Sequence, residues 1–108
     1  MGKVRRKKDK LIAELKINGQ QYSIRASAHA LQRMEEREVD EYVVAGNILA
    51  LGKQRLAELQ EEQAEAIIID EEKDVAVIIG YKGNRIMVVT VIGRSNVFVK
   101  KGTVIEKL

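Results

Sequence analysis

The chain has no cysteine and no tryptophan, one phenylalanine, three tyrosines and a single histidine. Without cysteine there are no disulfides and no thiol chemistry, and redox state places no limit on the compartment. One histidine and no cysteine argue strongly against a zinc site. Aromatic residues make up 4% of the chain against 45% hydrophobic residues, so the core has to be aliphatic, built of Ile, Val, Leu and Ala. All apolar runs are far shorter than a membrane span, and no signal-peptide core follows the basic start. No Gly-rich phosphate loop, paired-carboxylate metal site or serine nucleophile stands out. Residues 80–83 are a hairpin turn, because no helix and no Gly-Lys-Ser/Thr follow. The expectation is a soluble cytoplasmic protein with no cofactor, no metal and no membrane contact. At 108 residues it is one domain.

Charge is present in both signs but segregated. The net +3 conceals an acidic middle between basic ends. Residues 1–10 carry six basic side chains against Asp9, and residues 75–108 carry six against Glu106. Residues 35–74 hold four basic side chains against thirteen acidic ones. A uniformly basic nucleic-acid binder would not be arranged this way, yet basic surface can still form if the two ends meet in the fold. Residues 1–8 bury little and read as a flexible basic tail. Its Lys3, Arg5, Arg6, Lys7 and Lys8 are candidates for tracking phosphates through counterion release. A solubilising tail, or one that docks on an acidic protein, is an equal reading.

Residues 9–108 read as a single α+β domain. Residues 11–17 and 21–26 flank Asn18-Gly19, a pair suited to a type I′ turn because both central residues need positive φ. This predicts an N-terminal β-hairpin. Ser27 is a helix N-cap candidate, for a helix to about Glu38, and Asp40 caps a second with Val43, Val44, Ile48 and Leu51 as its apolar face. Gly52 is placed to end it. Residues 55–66 are rich in helix formers, with only Leu56 and Leu59 as an apolar edge. They predict a short exposed acidic helix, with a loop as the alternative. From residue 66 the pattern turns to strands at 66–69, 75–81, 85–92 and 97–99, with a further run at 103–105. Short turns between them imply a C-terminal antiparallel β-meander. Met34, Val43, Ile48, Ile78, Val88 and Val91 are the expected core, and Thr90 and Tyr81 are expected to share a groove, or to be ordinary strand residues.

The stretch from Ser27 to Arg37 carries the most chemistry. A step of four residues along a helix advances roughly 40° past a full turn, so His29, Arg33 and Arg37 form one diagonal ridge beside the apolar Ala30 and Met34. An imidazole and two guanidiniums there can bind phosphate. Metal-independent RNA cleavage needs a base for the 2′-hydroxyl, cations for the phosphate and an acid for the leaving oxygen. His29 with Arg33 and Arg37 supplies the first two, and Arg94 after the central strand is the fourth candidate. The structural alternative is that His29 bonds a backbone carbonyl while the arginines pair with Glu35, Glu36, Glu38 or Glu41.

Ser27, His29, Ala30, Arg33, Met34, Arg37, Val39 and Asp40 also carry a resemblance. They resemble the opening Ser-x-His-Ala-x-x-Arg-Met-x-x-Arg, with an aliphatic residue and an acidic helix start, of a family of short bacterial and phage proteins of unknown function. The late strand Val88-Val89-Thr90-Val91 resembles a second feature of that family, and the match spans about residues 22–93. The family looks like the RelE and BrnT group of small toxin ribonucleases, with helices followed by an antiparallel sheet. The resemblance implies RNA as binding partner or substrate and a phage or mobile-element setting. The chain departs from a typical RelE sequence in its acidic middle. The second reading is a non-catalytic phage or accessory protein that binds and modulates a host protein, and a third is an assembly module. Homo-oligomerisation stays open.

Overall fold

The computed structural model describes residues 9–93 and 101–108. Six strands and three helices follow one another as β1 (Lys10–Ile17), β2 (Gln20–Ala26), α1 (Ala28–Glu36), α2 (Glu41–Leu49), α3 (Lys53–Glu62), β3 (Ala66–Asp70), β4 (Val75–Lys82), β5 (Arg85–Gly93) and β6 (Val104–Lys107). The strands form one sheet in the order β1-β2-β5-β4-β3-β6. The class is α+β with an N-terminal hairpin, whose turn residues Asn18 and Gly19 both have positive φ, 50° and 80°. The expected strand at 97–99 lies outside the described residues.

The sheet is mixed rather than a plain meander. β3, β4 and β5 are antiparallel neighbours, as their short turns require. Two further joins are parallel: β2 beside β5, with Ser23 opposite Arg85 and Ala26 opposite Val88, and β6 beside β3, with Ile67 opposite Ile105. Short turns specify only the neighbours they connect. Parallel neighbours need a long crossover, and between β2 and β3 the three helices supply one.

All three helices lie on one face of the sheet. Ala30 and Met34 of α1, Val44 and Ile48 of α2, and Leu56 and Leu59 of α3 join one buried cluster with Ile24, Ile68, Val77, Ile79, Ile86, Val88 and Val91. The third helix is therefore real and buries both leucines completely. Of the expected core, Val43 is only half-buried and Val44 takes its place. Ile78 belongs to a smaller cluster with Ile67, Ile69 and Ala76. Strand alternation puts that cluster on the opposite face. Tyr81 packs with the main core while Thr90 pairs with Ile78, so the two do not share a groove.

Long side chains tie the layers together. The Gln63 amide clasps the backbone of Gly83: its Oε1 accepts from the Gly83 N–H at 2.9 Å and its Nε2 donates to the Gly83 carbonyl at 3.2 Å. Arg55 donates to Glu106 through Nε at 3.0 Å and Nη2 at 2.8 Å, and to Glu58 at 3.1 Å. The hydrogen bonds to Glu106 and then to Glu58 raise the guanidinium pKa above its ordinary value.

The Tyr81 hydroxyl donates to the Leu56 carbonyl at 3.0 Å. Burial, reinforced by Tyr22 and opposed by Arg55, raises its pKa well above the ordinary 10.0. The unfolded chain then loses this proton first. The resulting stabilisation is complete below the unfolded value and is lost as pH rises from there through the folded value. The melting temperature should therefore fall steeply in alkaline buffer, and less so in Tyr81→Phe, which has no phenol to ionise. Parallel alkaline melting curves for the two proteins would reject this account.

Candidate nucleic-acid interface

Ser27 fixes the helix that carries the ridge. Its N–H donates to the Val88 carbonyl at 3.0 Å and its hydroxyl donates to the Val89 carbonyl at 3.1 Å. The same oxygen accepts from the Ala30 N–H at 3.0 Å, which satisfies a free amide of the first turn. The helix is thus bolted to β5 with Ala30 and Met34 inward, leaving His29 and Arg33 exposed. α1 ends at Glu36, before the expected Glu38. Arg37 is the C-cap, Glu38 takes a left-handed φ of 56°, and the Val39 N–H donates to the Met34 carbonyl at 2.9 Å. This is the Schellman closure, here with glutamate where glycine is usual.

The His29 side chain forms no hydrogen bond or ion pair among the described residues, so the alternative bond to a backbone carbonyl is not found there. Arg33 pairs with Glu36 at 3.1 Å. Arg37, the C-cap, still donates its N–H to the Arg33 carbonyl at 3.0 Å, and it lines a cavity of about 450 Å³ with Glu36, Glu38, Val39, Val43, Lys73, Asp74 and Val75. Arg94 and the five basic tail residues lie outside the described residues. No described side chain orients the imidazole, as a general base requires. What remains at this edge is an exposed imidazole and two exposed guanidiniums, which can hold a phosphate.

Sequence reasoning did not find a second set of cations. Lys82 and Arg85 come together on the other face of the sheet around Gln21, Ser23 and Asn84, and Lys16 stands opposite Gln21. Lys82 and Arg85 flank the Gly83-Asn84 turn, and that was the available signal. That Ser23 and Gln21 lie beside them depends on the parallel β2–β5 join, which no local pattern announces. Among the described residues, no group of three or more His, Asp or Glu side chains is placed to hold a metal ion. No described helix is long and apolar enough to cross a membrane. Comparison with protein-family models, with curated proteins and with solved structures finds no match for this chain.

Proposed function

We propose that the protein is a small RNA-binding domain of the RelE/BrnT kind that its opening motif resembles, and that it contacts RNA through the exposed edge of α1. One observation carries this reading: His29 and Arg37 stand at that edge without an ion pair among the described residues, and Arg33 pairs with Glu36 alone. Phosphate contacts need such uncompensated donors. The unoriented imidazole favours binding over cleavage as the activity.

The test combines binding, cleavage and melting on the same variants. Pure protein is incubated with labelled RNA, with and without chelator. His29→Ala, Arg33→Ala and Arg37→Ala should each weaken binding. The melting temperature should stay close to wild type, because exposed substitutions of this kind change stability by about 0.5 kcal/mol or less. Chelator-resistant cleavage that His29→Ala abolishes would convert the reading from binder to ribonuclease. RNA affinity unaffected by all three substitutions would remove α1 from the interface.

A protein partner is the second reading, and one feature favours it. Tyr42 is 88% exposed beside a groove of about 630 Å³ whose walls include Ile12, Leu31, Met34 and Val39. Loss of a captured host protein on Tyr42→Glu, with RNA binding intact, would put this reading ahead.

A further inference from the structure

We propose that the sheet carries a phosphate-binding groove on the face turned away from the helices, at the end where the β1–β2 and β4–β5 hairpins turn. Strand register assembles it. Lys82 is opposite Arg85, Arg85 is beside Ser23, and Lys16 on β1 is opposite Gln21. Neighbouring strands are about 4.8 Å apart, so Lys82, Arg85 and Ser23 form one short transverse row. Their sequence neighbours Tyr22, Ile24, Tyr81 and Ile86 all pack in the main core. Alternation therefore turns the row outward. Gln21, Ser23, Lys82, Asn84 and Arg85 line a shallow cavity of about 470 Å³ there.

Three properties together suit this groove to an anion. First, its cations are uncompensated: Lys16, Lys82 and Arg85 form no ion pair among the described residues. Lys10, Arg25, Arg33 and Arg55 each hold a carboxylate within 3.1 Å. Second, Lys82 and Arg85 are like charges directly opposite each other, an arrangement that costs stability and that a bound anion would relieve. Third, the rim is held in place. Gln63 clasps Gly83, Gln60 donates to the Gly83 carbonyl at 3.3 Å, and the Ser23 N–H donates to the Asn84 carbonyl at 3.2 Å. A preorganised site loses less on binding.

The donors define the ligand. A guanidinium fork, an ammonium group, a serine hydroxyl and two carboxamides line it and match the acceptor oxygens of a phosphate. Among the described residues, no aromatic or apolar side chain lines the groove to hold a nucleobase, so recognition is of the phosphate itself. Glu14, across β2 from Arg85 in the same row, bounds the site on the β1 side. The phosphate can belong to a nucleic-acid backbone or be a free anion. The groove is independent of the α1 edge, since the two lie on opposite faces of the sheet.

Backbone amide shifts of the full chain, followed by NMR during addition of inorganic phosphate or of a short oligouridylate, test this. Ser23, Asn84 and Arg85 should shift. Shifts with oligouridylate alone identify a backbone phosphodiester as the ligand, and shifts with inorganic phosphate identify a free anion. In the first case Lys82→Gln with Arg85→Gln should lower oligouridylate affinity at least tenfold. The double variant should also flatten the salt dependence by about 0.7 in log–log slope per lost contact. His29→Ala should leave the three shifts in place, which separates this site from the α1 edge. Absence of shifts at these amides with both ligands would overturn the proposal. So would oligouridylate binding whose affinity and salt slope survive the double substitution.

Discussion

Val88→Asp should leave the protein without a cooperative thermal transition. Val88 is fully buried in a strand with neighbours on both sides: it pairs with Ala26 on β2 and Ile79 on β4. Its carbonyl accepts from the Ser27 N–H, so it also sits under the start of α1. A carboxylate there meets only apolar side chains among the described core residues. Either it stays charged without a partner or it folds as the neutral acid, and both cost several kcal/mol. That is comparable with the whole stability of a small domain, about 5–15 kcal/mol. Val88→Thr is the matched control, with nearly the same volume and no charge, and should melt at a lower temperature but cooperatively. A Val88→Asp protein that melts within a few degrees of wild type would show that β5 is not central.

Ending the chain at residue 103 should have the next largest effect. All five residues of β3 are buried, and β6 is what pairs with its outer edge. Truncation removes that ladder, the Val104 N–H bond to the Glu65 carbonyl and the Leu108 N–H bond to the Ile69 carbonyl. It also removes the carboxylate that engages Arg55 twice. Backbone hydrogen bonds contribute about 1 kcal/mol each, so a loss on the order of 3 kcal/mol is expected. The remainder should also self-associate, because Ala66-Ile-Ile-Ile would become an uncharged, unprotected edge. Sedimentation at several concentrations, with melting curves, tests both effects. Glu106→Gln, which keeps the strand and removes only the charge, should do far less. A monomeric truncated chain of wild-type stability would contradict the β3–β6 pairing.

The parts of this fold legible in the sequence are those fixed by neighbours along the chain. Asn18-Gly19 announced its turn because few other pairs accept positive φ twice. Ser27 and Asp40 announced helix starts because their side chains cap amides only three residues away. The end of α1 was less clear, since Glu38 adopts a left-handed conformation without being glycine. Val43 and Val44 are adjacent in an almost wholly apolar helix, and only the packing chose between them. Ile78 was misassigned because an apolar residue in a strand apolar on both faces does not reveal which way it points. The exposed edge of α1 could be read from a four-residue spacing. The outward groove could not, because Ser23 and Arg85 become neighbours only through a long-range parallel join.

Those parallel joins also bear on how fast the chain reaches its native state. The β1–β2 hairpin, the three helices and the β3–β4–β5 run can form from contacts close in sequence. The β2–β5 ladder has to close a loop containing every helix and two strands, and the β3–β6 ladder one containing β4 and β5. Loop-closure entropy is spent before such contacts return anything, which slows folding relative to a helical bundle of the same length. Refolding should accordingly be slower than helix formation by orders of magnitude. Substitutions at Ile24 or Ala26 should slow the refolding limb of a chevron plot only if β2 docks on β5 in the rate-limiting step.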